Sequence, residues 1–556
     1  MNQPTPAIVT QAAVRRLPRW ALLLFCVAYV LPGFIGREPW KLADVAAFGA
    51  MLEMAAGVGP WLQPAVLGQP LTDAALLPYW LGAIAIQALP FLEPAFAVRI
   101  PFMGLLAVTL AAVWYTVYHL ARQPAAQPVA FAFGGEAHPT DYARALADAG
   151  LLAIVACLGL AQLSHETTPD LARLAGVALL LLGAARLLSP DAHRTWRSLL
   201  IWTGGAAVLA LSDAVLPLAA LGLVWMLVMV TRRSRTAWAA GLIWMTALVL
   251  GEWLSGGLAP SSWTARTDDA DSFARLLLWF TWPAWPLALW TLWRWRRQWL
   301  APHVALPLWL VVVGVLTSAL SDERDRALLT ALPGLAALAA FALPTLRRSV
   351  SALIDWFTLL FFSGCVLIIW VIWLAMMTGV PAKPAANVAK LAPGFVPDFG
   401  LLPFVLGALA TLAWVWLVSW RVGRHRQALW KSLVLPSAGA TLCWLLLMTL
   451  WLPLLDFGRS YGPLSRRIAT LVPPGSCVMA DGLNAGQLTA LRYHGRLNVV
   501  RSDAPNDAVC RVMVVSPASQ PTLDQRVALT DWAYQASVSR LTDSKETLLV
   551  YRRIGR

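Results

Sequence analysis

The chain has 556 residues, of which 59% are hydrophobic and only 13% are charged, whereas roughly a quarter of the residues in soluble globular proteins carry charge. Its 30 tryptophans are of a type that concentrates where a bilayer meets water, because the indole combines an apolar ring with a polar N–H. This composition excludes a soluble enzyme and predicts an α-helical polytopic membrane protein. The net charge of +14 does not indicate a nucleic-acid partner, because the basic residues form short clusters between apolar runs, as in cytoplasmic loops.

The chain begins with a basic cluster followed by an apolar run. Arg15, Arg16 and Arg19 precede the run that starts at Trp20, and no cleavage site of small residues follows it closely. We therefore expect the first segment to remain in the membrane as a signal anchor with a cytoplasmic N-terminus.

Apolar runs long enough to cross a bilayer recur along the sequence and predict about thirteen spans. They start near Trp20, Pro101, Gly150, Leu171, Leu199, Val215, Ala237, Phe273, Val304, Ala327, Leu353, Leu401 and Trp430. One further run, from about Leu76 to Val98, is ambiguous because Pro90, Glu93 and Pro94 interrupt it.

The arginine clusters decide whether this ambiguous run crosses the membrane. If it does not cross, every later cluster lies on the cytoplasmic side with the N-terminus. These clusters are Arg194 with Arg197, Arg232 with Arg233 and Arg235, Arg294 with Arg296 and Arg297, Arg347 with Arg348, and Arg421 with Arg424 and Arg426. We therefore predict that the run lies along the outer interface or re-enters it, within a first external loop at about 36–98, hereafter the first loop.

If each of the thirteen predicted spans crosses the membrane once, the region after the last span lies on the outer side. We predict a transmembrane module over residues 1–456 and a small periplasmic α/β domain over 457–556. In that domain SRRIATLVPPG reads as a helix, CVMAD, LNVVR, CRVMVVS and TLLVYRR read as strands, and helical stretches lie near Gln487 and Asp524. Cys477 and Cys510 either pair in the oxidising periplasm or remain two buried thiols. No CxxC or Cys/His spacing predicts a metal site.

Ionisable residues in ion-coupled transporters typically lie in the middle of a span. Here Asp213, Glu252 and Asp355 fall near span ends. The acidic residues gather instead in the predicted external segments, which carry Asp44, Glu53, Asp73, Glu166, Asp170, Asp268, Asp269, Asp271, Asp322, Glu323 and Asp325. This placement favours an active site on the outer face over a transport pathway.

Within the first loop, Asp44, Phe48, Met51 and Ala55 recur at helical spacing. The spacing predicts an amphipathic helix with Asp44 near its start, where the helix dipole favours an ionised carboxylate. The alternative is that Asp44 is a helix cap without a chemical role.

The order of short motifs in the first loop resembles the lipid A aminoarabinose transferases and related GT-C membrane glycosyltransferases, a group that includes the protein mannosyltransferase-like enzymes. The motifs are Gly36-Arg37 with Trp40 and Asp44, then GPWLQPAVLGQPL, LLPYWL and FAVRIP with Arg99. The later stretches HETTPDLARLAG and ERDRALLTALPGLAALAAF also resemble that family.

The resemblance implies a GT-C-like fold and inverting transfer of a sugar from a polyprenyl-phosphate donor to a lipid, glycan or protein acceptor. The reaction would take place at the periplasmic face of the bacterial inner membrane. A lipid-linked donor needs neither a P-loop nor a dinucleotide motif, and none is present. We therefore expect no cofactor and no nucleic-acid partner.

By position in the motifs, Asp44 would act as the general base or orient the acceptor hydroxyl, and Asp170 matches a second acidic position. Arg99 is a candidate for binding the leaving phosphate. Further candidates for substrate binding lie in the resembling stretches or are external arginines: Tyr79, Trp80, His165, Glu166, Arg266, Arg275 and Arg324. We expect Arg99 and at least one of these arginines to line a common cavity with Asp44.

Three positions depart from the family pattern. Val45 replaces the second acid of an Asp-Glu pair, Ala74 replaces a lysine, and Asp213 stands where a lysine often follows the fifth span. The alternatives to an active transferase are a catalytically degenerate homologue that binds polyprenyl lipid and, less in keeping with the charge placement, a lipid or solute transporter.

Overall fold

Most of the chain is α-helical. The computed structural model describes residues 5–189, 195–214, 216–222, 235–255, 270–422, 428–503 and 510–554. The helices before residue 260 include α1 (Arg19–Val30), α2 (Leu42–Ala55), α3 (Leu77–Ala88), α4 (Pro94–Ala97), α5 (Arg99–Ala121), α6 (Pro139–Ala156), α7 (Leu160–Leu163), α8 (Pro169–Leu187), α9 (Thr195–Ala210) and α10 (Arg235–Ser255). The later helices are α11 (Ala270–Phe280), α12 (Ala284–Arg294), α13 (Pro302–Leu320), α14 (Arg324–Leu328), α15 (Leu332–Ala342), α16 (Arg348–Thr378), α17 (Ala382–Leu391), α18 (Leu401–Val422), α19 (Lys431–Thr449), α20 (Leu452–Arg459), α21 (Gly462–Ala469) and α22 (Ala485–Tyr493).

Within the described ranges, six helical segments are long and apolar enough to cross a membrane. They are Pro94–Ala121, Pro302–Leu320, Arg324–Thr345, Arg348–Thr378, Leu401–Arg421 and Lys431–Thr449. Two shorter helices, Arg19–Val30 and Trp238–Leu254, are also apolar. The chain is thus a multi-pass membrane protein, whereas the count of thirteen spans stays a prediction.

The ambiguous run of the first loop is broken where its prolines lie. Helix α3 ends at Ala88 and α4 begins at Pro94. The 12 residues of α3 extend about 18 Å, well short of the hydrocarbon thickness of about 30 Å. This length supports the prediction that the run does not cross the membrane.

The chain divides into two compact units. The first unit contains Met1–Ile35, Pro101–Ile368 and Leu402–Thr449, and the second contains Gly36–Ile100, Ile369–Leu401 and Leu450–Arg556. The second unit therefore combines the first loop with the predicted periplasmic domain, although they are far apart in sequence. The domain boundary at residues 456 and 457 stays a prediction.

Close packing of α8 against α9 in the first unit depends on small residues. A Cβ atom at Gly205 would lie 2.7 Å from the backbone nitrogen of Leu180, and one at Gly183 would lie 3.0 Å from the backbone of Trp202. Small residues at such contacts let helix backbones approach each other, which is how many membrane helices associate.

The C-terminal part of the second unit contains a five-stranded sheet. Its strands are β3 (Cys477–Asp481), β4 (Asn498–Arg501), β5 (Val512–Val515), β6 (Trp532–Arg540) and β7 (Asp543–Arg553), following a two-residue hairpin of β1 (Ala65–Val66) and β2 (Gln69–Pro70) in the first loop. The order is β4-β3-β5-β7-β6. Strand β3 pairs in parallel with β4 and β5, and β7 pairs antiparallel with β5 and β6. The small C-terminal α/β domain is confirmed, and β6 is a strand that the sequence analysis did not predict.

One face of this sheet covers an apolar core of Met513, Val515, Leu523, Trp532 and Tyr551. Cys477 and Cys510 form a disulfide with their Cα atoms 4.8 Å apart. Of the two alternatives left open by the sequence, the structure therefore has the paired cysteines.

Helix α2 of the first loop packs against α22 of the C-terminal region. A Cβ atom at Gly49 would lie 1.9 Å from Thr489 Oγ1, and one at Gly486 would lie 2.7 Å from the carbonyl oxygen of Leu42. The amphipathic character predicted for α2 is wrong: nearly all of its residues from Asp44 to Met54 are buried, because α2 is enclosed by α3 and α22.

Candidate active site

Asp44 lies in the first turn of α2 and forms a buried ion pair with Arg37. Arg37 Nη2 donates to Asp44 Oδ2 at 3.1 Å, and the two side chains are 0% and 2% exposed. The residue at the N-cap position is Lys41, so Asp44 sits inside the helix and not at its cap. The helix start predicted for this residue is therefore confirmed.

The guanidinium of Arg37 has further capacity to donate hydrogen bonds. Its Nε and Nη1 atoms are buried and have no hydrogen-bond acceptor among the residues that the structure describes. Leaving buried polar N–H groups without acceptors costs about 1–3 kcal/mol each, and more for charged groups. A buried cation with free donors is suited to bind an anion, because planar guanidinium N–H groups match the oxygens of a phosphate.

Arg99, the first residue of α5, belongs to the same group of charges. Its side chain is 3% exposed, and the charged or titratable groups around it are Arg37, Asp44, Asp456 and Tyr493. The structure thus brings together two of the predicted site residues, Asp44 and Arg99, and adds Arg37 to them. Two buried guanidinium groups thus lie near the Asp44 carboxylate.

Asp456 of α20 contacts this group from the other end of the chain. Its Oδ1 accepts hydrogen bonds from Trp40 Nε1 at 2.6 Å and from the backbone N–H of Glu38 at 3.1 Å. Burial raises the pKa of Asp456 to about 6, although both hydrogen bonds act in the opposite direction. The carboxyl group therefore titrates in a range close to neutrality.

Trp40 is buried and lies against two cations. The guanidinium carbon of Arg37 is 4.6 Å from the centroid of the Trp40 ring, and that of Arg459 is 5.3 Å away. An arginine over an indole face gains cation–π attraction, which is stronger when the pair is removed from water. The ring therefore helps to stabilise both guanidinium groups next to it.

Two titratable residues at the end of α22 border the same region. Tyr493 OH donates to Glu93 Oε1 at 2.9 Å, and its pKa is raised by burial and by the adjacent glutamate. Burial lowers the pKa of His494, with Glu38 and Glu93 acting against this shift.

Glu53 connects the first loop to α22. Its two carboxylate oxygens accept the Leu67 N–H at 3.0 Å each, and it forms an ion pair with Arg492. Leu67 has a φ of 51°, in the left-handed region that residues with a side chain rarely adopt. Glu53 thus stabilises a strained turn, which is a structural role.

Tyr79 and Trp80, predicted to bind substrate, contact other residues of the first loop. Tyr79 OH donates to both oxygens of Asp73 at 3.0 Å, and Trp80 Nε1 donates to the carbonyl oxygen of Trp61 at 2.7 Å. These bonds fix the segment before α3, and substrate binding by Tyr79 and Trp80 stays a prediction.

Glu166 and Asp170 in the first unit share one buried arginine. Arg326 donates to Glu166 Oε2 at 2.6 Å and to Asp170 Oδ2 at 2.8 Å. Arg173 donates to the other oxygen of Asp170 at 3.0 Å. Both carboxylate oxygens of Asp170 are therefore engaged by arginines, which favours charge pairing over proton abstraction, and its catalytic role stays a prediction.

His165, the neighbour of Glu166, lies in an aromatic environment of the first unit. Its ring is within 5.5 Å of the ring centroids of Tyr29, Phe34 and Trp444. Its two ring nitrogens lie 2.5 Å from the Ala161 carbonyl oxygen and 3.2 Å from that of Tyr29. This environment is typical of a packed core histidine.

The structure describes two of the three arginines that were predicted to lie on the external side. Arg275 is exposed and donates to the backbone oxygen of Asp271 at 3.2 Å, and Arg324 lies 5.6 Å from the Phe273 ring. Arg266 lies outside the described residues. That one of these arginines shares a cavity with Arg99 and Asp44 stays a prediction.

The departures from the family pattern occupy distinct environments. Val45 is buried in the apolar packing of α2 at 1% exposure, and Ala74 directly follows Asp73 in the segment that leads into α3. Asp213 has a φ of 54° and lies 3.9 Å from Arg173. The side chain at position 45 is therefore part of the buried packing of α2.

Sequence reasoning missed Asp456, Arg459 and Arg326 as members of these charge groups. Arg326 lies within the ERDR stretch that carries the family resemblance, so a signal for it existed. Asp456 is separated from Trp40 by 416 residues, and no local pattern marks it.

Comparison with solved structures shows the fold. The chain resembles the crystal structure of ArnT from Cupriavidus metallidurans bound to undecaprenyl phosphate, with a TM-score of 0.62 and 14% identity over 96% of this chain and 98% of that one. The apo structure of the same protein matches with a TM-score of 0.61 and 15% identity over the same shares. No protein-family model and no curated protein sequence matches.

The likeness extends over nearly the whole length of both chains, so it includes the membrane helices as well as the C-terminal sheet. The resemblance predicted from the motifs of the first loop is thereby confirmed. The chain is a multi-pass membrane protein with a fold similar to that of ArnT from Cupriavidus metallidurans.

Proposed function

We propose that this protein is a glycosyltransferase of the bacterial inner membrane that uses a polyprenyl-phosphate-linked sugar as its donor. The reaction would take place at the periplasmic face, and the acceptor would be a lipid, a glycan or a protein. A donor with a long isoprenoid tail has to be bound at the membrane, since each buried methylene group adds about 0.8 kcal/mol to its membrane affinity. The fold supports this because the similar ArnT was crystallised with undecaprenyl phosphate.

The observation that carries the proposal is the buried Arg37–Asp44 pair beside Arg99. Arg37 keeps one hydrogen bond to Asp44 and has two donor atoms left for a phosphate oxygen. Fixed donors that point to where charge develops are usually the largest contribution to catalysis. The phosphate becomes more negative as the sugar leaves, so these guanidinium groups would bind it more tightly in the transition state than in the ground state.

The chemistry assigned to Asp44 follows from an inverting mechanism. The acceptor hydroxyl oxygen forms a bond to the anomeric carbon of the sugar while the bond from that carbon to the phosphate oxygen breaks. The hydroxyl proton passes to the Asp44 carboxylate, and the electron pair of the broken bond stays on the phosphate. Arg37 links the two events because its guanidinium contacts the base and binds the leaving group.

Binding of the lipid phosphate is the first test. The purified full-length protein in nanodiscs should bind undecaprenyl phosphate, and Arg37→Gln should weaken that binding by about tenfold or more, as expected for loss of a charged hydrogen bond. Arg467→Gln is the matched control, because Arg467 is an exposed arginine of the same unit that contacts the Ser539 carbonyl oxygen. Equal affinities for the wild type and Arg37→Gln would remove the assigned phosphate site.

Transfer is the second test, and it separates the competing functions. Polyprenyl-phosphate donors with different sugars are incubated with the protein and with membrane lipid extracts, and labelled product is measured. Transfer supports the enzyme. Binding without any transfer supports a degenerate homologue that only binds polyprenyl lipid, an alternative favoured by Val45 in the core. Flux of lipid across vesicles without transfer would favour a transporter.

A further inference from the structure

Asp456 is a buried carboxylate that has no role in the reaction proposed above. It belongs to α20, which comes directly before the C-terminal α/β region, and yet it contacts the first loop through two hydrogen bonds to its Oδ1. We propose that Asp456 is a positioning residue of the transferase site, which holds Trp40 so that Arg37 stays directed at Asp44. The inference rests on the proposed function.

The contacts run in one continuous series. Asp456 Oδ1 fixes the indole N–H of Trp40 at 2.6 Å, and the Trp40 ring supports the Arg37 guanidinium at 4.6 Å. Arg37 in turn donates to Asp44. Because Trp40 and Arg37 are buried and close-packed, a change in the tilt of the indole displaces the guanidinium that pairs with the base.

The C-terminal sheet fixes the helix that carries Asp456. Arg540 of β6 donates to the carbonyl oxygens of Gly458 and Arg459 at the end of α20, and Thr542 Oγ1 also donates to Gly458. Arg540 Nη1 is held by Glu546 Oε2 at 3.1 Å, and Glu546 accepts the Tyr461 hydroxyl at 2.6 and 2.7 Å. These bonds give the C-terminal domain a part in the reaction, since they determine where Asp456 lies.

Asp456 also brings a carboxylate into contact with the first loop, in which the family pattern has lost one. The second acid of the Asp-Glu pair is Val45 here, and its side chain is buried in the core. Asp456 brings a negative charge to the Arg37–Trp40 segment from a different part of the chain. The charged groups that face it are Arg37 and Glu38 of the first loop, Arg99 of α5 and, across the Trp40 ring, Arg459 of its own helix.

The test uses Asp456→Asn, which keeps an oxygen acceptor for Trp40 but removes the charge. If the ionised carboxylate positions Arg37, the variant should transfer sugar about tenfold more slowly at pH 7, the size expected when a charge-assisted hydrogen bond becomes a neutral one. Wild-type transfer should fall by a similar factor between pH 7 and pH 5, and the variant should lack this fall. Asp524→Asn, an exposed acid of the same unit, should keep the wild-type rate and profile.

The unfolding temperature of Asp456→Asn is a second measurement, and we expect it not to fall although the rate of sugar transfer does. Burial raises the pKa of Asp456 to about 6 in the folded protein, above its usual value near 3.9 when unfolded. The folded state then binds more protons between these values, so the contribution of this group to stability rises as the pH falls from 6 to 4. Asp456→Asn should therefore unfold at the same temperature as the wild type or higher at pH 7, while transferring more slowly.

A merely structural Asp456 predicts the reverse pattern, in which the variant unfolds earlier and any remaining activity keeps its pH profile. That result would overturn the inference.

Trp40→Phe, which keeps the ring and removes the N–H, should reproduce the slow transfer of Asp456→Asn. The effects of the two changes together should be far from additive. His494→Gln checks that the acidic fall does not come from the neighbouring histidine. If the wild type neither binds undecaprenyl phosphate nor transfers sugar, the proposed function fails before any variant is compared.

Discussion

At the scale of single residues, the second unit concentrates buried charge around Arg37, and the pairing of each charge determines what it can do. A buried ion pair is costly to break from one side, because the remaining charge has no solvent to stabilise it. Asp44 pairs with Arg37, while both carboxylate oxygens of Asp170 accept hydrogen bonds from arginines, one from Arg326 and one from Arg173. The two arginine contacts disfavour Asp170 as the group that exchanges a proton, a role assigned here to Asp44.

Replacement of Asp44 tests this assignment directly. Asp44→Asn keeps an oxygen that can accept the Arg37 N–H, so we expect the protein to fold and to bind undecaprenyl phosphate. Transfer should decrease by about 10²- to 10⁴-fold, the usual cost of losing a general base. Asp73→Asn is the matched control, because Asp73 serves as an acceptor for Tyr79 and should have little effect. Wild-type transfer by Asp44→Asn would make Asp170 the next candidate.

Replacement of Arg326 should affect stability. Arg326→Gln leaves Glu166 and Asp170 buried without their shared cation, and breaking a buried pair from one side typically costs about 3–5 kcal/mol. We expect a clear decrease of the unfolding temperature in detergent. Arg348→Gln, at the start of α16 and exposed, should unfold like the wild type, and equal stability of both variants would contradict the buried network.

At the scale of elements, the sequence predicted most of the C-terminal region correctly. The parallel strands over CVMAD, LNVVR and CRVMVVS are predictable because buried parallel strands form continuous apolar runs, and the antiparallel strand over TLLVYRR has a short apolar run of its own. Strand β6 was missed because most of its side chains between Trp532 and Val538 are exposed, so its apolar pattern is weak. Helix α2 was placed correctly but judged amphipathic, since nothing in its own sequence indicates that α22 covers its second face.

The contact between α2 and α22 gives an element-scale prediction. Gly49→Ala places a methyl group where Thr489 Oγ1 would be 1.9 Å away, so one helix has to shift. Overpacking of this kind costs about 1–3 kcal/mol, which should appear as earlier thermal unfolding. Thr489→Ala in the same chain should restore part of the loss. Gly104→Ala, where nothing lies within 4 Å, is the control, and an equal response at both glycines would argue against the close packing.

At the scale of the whole molecule, the fold could be predicted from the sequence. The composition predicts a polytopic helical membrane protein, and the order of the motifs gives the resemblance to a known fold. The candidate site was accessible only in part. Asp44 and Arg99 lie in motifs of one loop, whereas the partner of Trp40 is 416 residues away. Pairings over such distances depend on tertiary packing, which leaves no periodic signal in one chain.

Membrane topology is the prediction that belongs to this scale. The parity of the arginine clusters places the N-terminus in the cytoplasm and the C-terminus in the periplasm. Alkaline phosphatase fused after Arg556 should therefore be active in cells, because it requires an oxidising compartment for its disulfides. Green fluorescence from a cytoplasmic reporter at the same position would contradict an odd number of spans.

The contacts between the first loop and the C-terminal region also determine when α2 can be covered during synthesis of the chain. The partners of Glu38, Trp40 and Glu53 follow them by 418, 416 and 439 residues. At about 5–20 residues per second, a ribosome needs roughly 20 to 90 s to synthesise the residues between these partners. Throughout this interval α2 has left the ribosome with Phe48 and Gly49 uncovered, so a nascent chain stalled before α22 exposes this helix to proteases. Limited proteolysis of stalled chains would reveal a cleavage window that closes only when the last hundred residues have emerged.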